Sequence, residues 1–104
     1  MFMAFLGNVL LALATVVDML LNIYTWVLII SVLISWVNPD PYNPIVRVLR
    51  QLTDPVLNWV RRRVPLAFGG FDLTPIVVIL VLKFFQIVLV NQLIDISMML
   101  RSGN

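Results

Sequence analysis

The sequence contains neither cysteine nor histidine. The lack of both residue types excludes a disulfide framework, a Cys/His zinc site and histidine acid–base catalysis. It also excludes the usual haem ligands other than methionine and tyrosine. The sequence has no recognisable nucleophile elbow or phosphate-binding loop either. We therefore predict a protein that is not an enzyme, with no catalytic residues, no metal site and no cofactor.

Charge is also scarce. Charged residues make up 12% of the 104 residues and hydrophobic residues 62%, whereas ordinary globular domains have about 25% and about 45–50% respectively. A chain this short cannot hide so much apolar surface in its own core, which favours lipid as the solvent. The net charge of +2 is too small to indicate a nucleic-acid partner.

The first apolar stretch fills residues 1–37, and Asp18 is its only charged side chain. About 20 helical residues cross a hydrocarbon core, so residues 19–37 suffice for a first transmembrane helix. Residues 1–18 are predicted to form an N-terminal helical extension. They either continue the helix of the first span, which then tilts or extends beyond the bilayer, or form a separate interfacial helix. A cleaved signal peptide is not expected, because no Lys or Arg precedes the apolar run.

The second apolar stretch, residues 75–100, is also long enough to cross a membrane. No other segment of the sequence has this length and composition. The prediction is an all-α membrane protein of one domain. Its two transmembrane helices are joined by a kinked, amphipathic, in-plane helical region within the link at residues 38–74.

This link begins its helical part at Asn43-Pro44, a capping side chain followed by proline in the first turn. Apolar residues then recur at helical spacing and leave arginines on the opposite face. The apolar positions are Ile45, Val48, Leu49, Leu52, Val56, Trp59 and Val60.

A second cap-and-proline pattern, Thr53-Asp54-Pro55, lies in the middle of the link. Proline cannot donate a hydrogen bond to the carbonyl four residues earlier. The link is therefore predicted to kink or restart at this point, with helices at about 44–53 and 55–64.

The end of the link carries turn and helix-start signals. Gly69-Gly70 allows a tight turn. Asp72 or Thr74 is then expected to cap the second span, with Pro75 in its first turn.

Five arginines give the link its charge: Arg47, Arg50, Arg61, Arg62 and Arg63. The positive-inside rule then predicts a cytoplasmic link with both termini outside. Three roles are open for the basic amphipathic link. The first role is binding to anionic lipid headgroups, and the second is only to fix the topology. The third is packing of its apolar face against the protein's own spans or those of a partner.

Polar side chains interrupt both predicted spans. Lys83 lies nine residues after Thr74, about 13 Å along a helix axis and near the middle of a core of roughly 30 Å. A lysine at that depth is a candidate functional residue. Asp18, Asn22 and Gln86 accompany it, and their spacing favours an Asn22–Lys83 contact over a direct Asp18–Lys83 pair. Two roles are open: an ion or proton path, or hydrogen bonds that join helices.

The link resembles the YggT family, also called YlmG, in the order and spacing of several short motifs. The resemblance covers roughly residues 24–92, including the arginine run at 61–63. Some bacterial members look like tandem duplications of the unit that this chain has once. The signature positions here are Asn43, Pro44, Thr53, Asp54, Pro55, Gly69, Gly70, Asp72, Thr74 and Pro75.

The resemblance implies a multi-pass protein of the bacterial inner membrane, linked to envelope organisation, cell division and osmotic-stress tolerance. It supplies no catalytic residue. The leading hypothesis is a non-enzymatic scaffold or assembly factor. Its expected partners are anionic membrane lipids and either a second copy or another membrane protein. The alternative is an oligomeric ion channel or permeation factor with Lys83 in the path.

Overall fold

The computed structural model describes residues 1–37, 40, 42–69 and 71–102. Three helices and one minimal hairpin form its secondary structure. In chain order the elements are α1 (Phe2–Trp36), α2 (Pro44–Arg63), β1 (Ala67–Phe68), β2 (Phe71–Asp72) and α3 (Thr74–Arg101).

Helices α1 and α3 are each long and apolar enough to cross a membrane, with 35 and 28 residues. Only 11% and 17% of their most apolar stretches are buried inside the chain, so most of this apolar surface faces outward. That distribution favours membrane insertion over a soluble core. Residues 1–18 and the predicted span at 19–37 belong to one continuous helix, because α1 runs from Phe2 to Trp36.

The chain divides into two compact units. The first comprises Met1–Asn22 and Leu82–Asn104. Close backbone contact marks this unit, because a β-carbon on Gly7 would lie 2.7 Å from the carbonyl oxygen of Ser97. Ala14 and Ser97 are also buried in this unit. Small residues of this kind let helices approach closely in a membrane.

The second unit, Ile23–Val81, contains α2 and the hairpin. Its small core includes the buried side chains of Leu28, Val46, Leu57 and Val78. The backbone of α2 starts as the sequence predicts. The side chain of Asn43 accepts a hydrogen bond from the Ile45 amide at 2.9 Å, and Pro44 occupies the first turn.

One helix stands where the sequence predicts two pieces, because α2 continues through Pro55 to Arg63. Thr53 does not cap a second helix. Its hydroxyl donates to the Leu49 carbonyl at 3.0 Å and lies 3.3 Å from the Ser31 hydroxyl. Tyr24 donates to the Leu52 carbonyl at 3.0 Å, in the turn before the proline. The Leu52 carbonyl lies in the turn that the proline disturbs, and the predicted kink stays a prediction.

A two-stranded antiparallel hairpin follows α2 and was not predicted. It pairs Ala67 with Asp72 and Phe68 with Phe71. Gly69 takes a φ of 57° in the connecting turn, a left-handed conformation that favours glycine. The other residue predicted for this turn, Gly70, lies outside the described residues.

Candidate functional site

The surface helix α2 has two distinct apolar faces. One face packs on the chain through the buried side chains of Val46, Thr53 and Leu57. The other is exposed, with relative exposures between 38% and 68%. We call this second face the exposed apolar stripe; it consists of Ile45, Val48, Leu52, Val56 and Trp59.

The polar face of α2 lies roughly 110° around the helix from the exposed apolar stripe. Its members, Arg47, Gln51, Asn58 and Arg62, are all exposed. The guanidinium of Arg62 donates to the Asn58 carbonyl at 3.3 Å, within the last turns of the helix. Cations there interact favourably with the partial negative charge of the helix C-terminus.

Arg63 lies next to the exposed apolar stripe. Its guanidinium stacks 3.9 Å from the ring centroid of Trp59. An arginine over a tryptophan face is stabilised by about 0.5–1 kcal/mol at exposed sites. The pair combines an apolar ring with a cation, which is the chemistry of a membrane interface.

Among the described residues, Arg61 makes an ion pair that Arg62 and Arg63 do not make. Its Nε and Nη2 atoms both lie 2.6 Å from Oδ2 of Asp72, and its Nη1 atom donates to Asn58 at 3.0 Å. The other carboxylate oxygen of Asp72 accepts from the Thr74 amide at 3.0 Å. Asp72 thus ties the end of α2 to the start of α3.

The ionisation of Asp72 follows from these contacts. Partial burial raises the pKa of its carboxyl group. Hydrogen bonds from Thr74, together with the hydrogen bond and positive charge of Arg61, outweigh that effect, so the pKa lies below its ordinary value.

A polar cleft of about 480 Å³ lies beside this contact, within the second unit. It is lined by the Arg61–Asp72 pair, by Arg50 and Asp54 of α2, and by serine and apolar residues of α1 and α3. The remaining lining residues are Ser31, Val32, Ser35, Trp36, Leu57, Pro75 and Ile76. Volumes of about 300–1,000 Å³ are typical of ligand sites.

An apolar groove of about 470 Å³ adjoins the polar cleft. Trp36, Asp72 and Ile76 line both, and Leu73 lines the groove alone. The cleft and the groove therefore adjoin each other along these three residues.

The first unit contains the polar residues that the sequence predicts to lie within the membrane. The ammonium group of Lys83 donates to Oδ1 of Asn22 at 2.8 Å, the contact that helical spacing favours. Gln86 donates to the same oxygen at 3.0 Å and to a carboxylate oxygen of Asp18 at 2.6 Å. We call these four residues the amide relay, because two amides connect a cation and a carboxylate.

Gln86 is buried within the amide relay, and Lys83, Asn22 and Asp18 are partly exposed. The side-chain oxygen of Gln86 has no hydrogen-bond partner among the described residues. Among these same residues, no group of three acidic side chains could hold a metal ion. The relay can therefore fix helix packing or present polar atoms to a second molecule.

The signature positions have several structural roles. Asn43 caps α2, Thr53 joins α2 to α1, and Asp72 is bound by Arg61. Pro75 lies in the first turn of α3, as predicted. Neither Gly7 nor the hydroxyl contact of Ser31 was anticipated from the sequence, because small residues and serines in apolar helices have no distinctive pattern.

The family model described as CCB3/YggT matches residues 10–93. The uncharacterized protein PA0392 of Pseudomonas aeruginosa is 38% identical over 78 residues, which cover 75% of this chain and 39% of that protein. No solved structure matches the chain.

Two further relatives are similar over shorter segments. The Escherichia coli K12 protein YggT is 44% identical over 57 residues, 55% of this chain and 29% of that protein. The chloroplastic YlmG homolog protein 2 of Arabidopsis thaliana is 42% identical over 65 residues, 62% of this chain and 25% of that protein. The matched segment thus spans well under half of each relative's length.

Proposed function

This chain belongs to the CCB3/YggT family, and we propose that it acts as a non-enzymatic scaffold or assembly factor of the bacterial inner membrane. In this role α2 lies in the plane of the membrane surface. Its exposed apolar stripe enters the lipid, and its polar face presents a docking surface to protein partners. Envelope organisation, cell division and osmotic-stress tolerance are the processes in which such a scaffold would act.

The observation that carries this proposal is the division of α2 into a packed face, an exposed apolar stripe and a basic polar face. An isolated amphipathic helix would be free to leave the membrane, but α2 is held by Thr53 and Arg61 through side-chain contacts. Large apolar side chains that stay exposed in one stripe indicate a lipid or protein contact. Arginines beside the stripe add about 1 kcal/mol each on an anionic surface.

The proposed orientation follows from charge. The helix α2 contains five arginines, which under the positive-inside rule hold it in the cytoplasm with both termini outside. The chain has no cysteine, so a single introduced thiol reports its own side of the membrane. We expect Arg47→Cys to react only with reagents that enter the cytoplasm, and Ser102→Cys to react with impermeant reagents.

The amide relay supports self-association as the second part of the proposal. Lys83, Asn22 and Asp18 remain partly exposed on apolar helices, and lipid offers such groups no hydrogen bonds. A second copy, or another membrane protein, would cover them with polar or small side chains.

Photo-crosslinking at neighbouring positions tests the scaffold role. We place the photoreactive p-benzoylphenylalanine at position 51, on the polar face, and at position 52, in the exposed apolar stripe. If the scaffold role is right, position 51 should give a protein adduct of fixed stoichiometry. Position 52 should give either lipid adducts or no adduct. Equal adducts from both positions, or no protein adduct from position 51, would contradict it.

A transport role is the second candidate, and one observation favours it: Lys83 lies within an apolar helix and contacts Asn22. An oligomer that surrounded a path with such residues would conduct ions or permit osmotic solutes to pass. Ion flux in liposomes that depends on Lys83 separates this role from the scaffold.

A further inference from the structure

Two charged side chains of the polar cleft, one cation and one anion, have no ion-pair partner among the described residues. Arg61 and Asp72 neutralise each other. Arg50 and Asp54 also line the cleft, but neither has an ion pair or hydrogen bond within the part of the chain that the structure describes. The net charge that the cleft offers to a ligand is therefore zero.

Arg50 and Asp54 stand in the less favourable order for an ion pair within a helix. Arg50 precedes Asp54 by four residues, and in helices an acidic residue N-terminal to a basic one gives the better pair. The two side chains still leave the helix on one side, with about 5–6 Å between their β-carbons. That spacing suits a ligand that carries a negative and a positive group on a short connection.

The adjoining groove supplies the apolar half of a ligand site. Trp36 and Ile76 line both the cleft and the groove and are exposed. Trp36 ends α1 and Ile76 belongs to the first turn of α3, where an apolar helix meets the membrane boundary. A ligand with a polar head and an apolar tail would contact both regions at once.

We infer that the cleft and the groove together bind one glycerophospholipid with a zwitterionic headgroup that ends in a primary ammonium, such as phosphatidylethanolamine. Arg50 binds the phosphate, with the charge-assisted hydrogen bonds that guanidinium groups form to phosphate oxygens. Asp54 accepts hydrogen bonds from the ammonium group. The first part of an acyl chain lies against Trp36 and Ile76.

This site selects among lipids by its chemistry. A phosphatidylcholine headgroup has the same charges, but its quaternary ammonium has no N–H to donate to Asp54. A phosphatidylglycerol headgroup has no cation, so it leaves the Asp54 carboxylate unpaired beside a phosphate. Sites built to bind a polar group discriminate against analogues that lack it.

The inference does not rest on the scaffold role, which depends on the exposed apolar stripe and the polar face of α2. A chain that recruits no protein would still retain the lipid. Conversely, a protein adduct from position 51 is compatible with an empty cleft. The two proposals therefore fail separately.

Native mass spectrometry of the detergent-purified full chain tests the site directly. We titrate it with phosphatidylethanolamine, phosphatidylcholine and phosphatidylglycerol of identical acyl chains. We expect one bound phosphatidylethanolamine, with at least tenfold weaker binding of the other two lipids. Equal retention of all three lipids would overturn the inference. This test requires no variant of the protein.

Two substitutions locate the bound lipid. Arg50→Gln and Asp54→Asn should each weaken phosphatidylethanolamine binding at least tenfold, and Asp54→Asn should also abolish the preference over phosphatidylcholine. Arg47→Gln is the matched control, because Arg47 is an exposed arginine of the same helix outside the cleft. A loss of the same size in Arg47→Gln would show that surface charge, and not the cleft, holds the lipid.

Soluble competitors distinguish a lipid site from a phosphate site. Inorganic phosphate and glycerophosphoethanolamine share the chemistry of the headgroup but lack acyl chains. We expect neither to displace the bound lipid at a tenfold molar excess, because the groove contributes to binding. Displacement by inorganic phosphate alone would overturn the lipid assignment.

Discussion

The guanidinium of Arg61 and the carboxylate of Asp72 form an ion pair of 2.6 Å that joins the last turn of α2 to the residue two positions before α3. The adjacent arginines behave differently. Arg62 and Arg63 donate to carbonyls of their own helix. One arginine of the run therefore joins α2 to the segment before α3, and the other two bond to their own helix.

Loss of this pair should loosen α2 without unfolding the chain. Both side chains are 38% exposed, so we expect Arg61→Gln to cost less than about 1 kcal/mol. The local effect should be faster amide hydrogen exchange in the last two turns of α2. Arg62→Gln is the matched control, and equal exchange rates in the two variants would contradict a special role for Arg61.

Acid should weaken the same contact. The pKa of Asp72 is lowered in the folded chain. The stabilisation that its ionised carboxylate gives to the fold is therefore complete above the unfolded pKa of about 3.9. The contribution is lost as the pH falls through the lower, folded value. The difference in unfolding free energy between wild type and Asp72→Asn should be constant from pH 7 to pH 5 and shrink below about pH 4. A difference that grows on acidification would have the wrong sign.

The sequence was sufficient for the two long helices and for the start of α2. Apolar length identifies the two long helices, and Asn43-Pro44 fixes a local cap that needs no tertiary contact. Thr53-Asp54-Pro55 has the same local pattern but a different outcome. The hydroxyl of Thr53 meets Ser31, 22 residues away, and such a contact overrides the local signal.

The contacts between distant segments could not be predicted in the same way. Gly7 is one glycine in an apolar run, and only the approach of Ser97 shows that a side chain would not fit there. The hairpin has two residues in each strand, which is too short for a period-two pattern. Helical spacing did favour the Asn22–Lys83 contact, because polar residues in apolar helices have few partners.

A double-mutant cycle should measure the contact between Ser31 and Thr53. Thr53→Val keeps the shape of the buried side chain and removes its hydroxyl, at a cost of about 1 kcal/mol. Ser31→Ala should cost a similar amount. If the hydroxyls are coupled, the double variant should lose about 0.5 kcal/mol less unfolding free energy than the two single variants lose together. Denaturant unfolding in micelles measures these losses. Strict additivity would show that the two hydroxyls do not interact.

The amide relay should act in packing and not in transport. Gln86→Leu removes the bonds to Asp18 and Asn22, each of which is expected to contribute about 0.6 kcal/mol between helices. Lys83→Leu loses one bond but also removes a charge that costs about 2.5–3.5 kcal/mol on an insertion scale, so it should be neutral or stabilising. Val88→Leu, at an exposed position of α3, is the control.

Flux measurements complete this comparison. If the scaffold role is right, liposomes that contain the purified protein should be no more permeable to ions than empty liposomes. Wild-type and Lys83→Leu proteins should then give the same result. Ion flux that Lys83→Leu abolishes would instead establish the transport role.

The position of α2 in the membrane surface is best tested through Trp59. Trp26→Phe and Trp36→Phe leave Trp59, which is 53% exposed in the apolar stripe, as the sole tryptophan fluorophore. The control replaces Trp59 with Phe and moves the tryptophan to the polar face as Gln51→Trp. We expect brominated lipids to quench Trp59 most strongly when the bromines lie near the glycerol end of the acyl chains, and aqueous iodide to quench the control. Quenching of Trp59 by iodide and not by brominated lipid would contradict the proposed position.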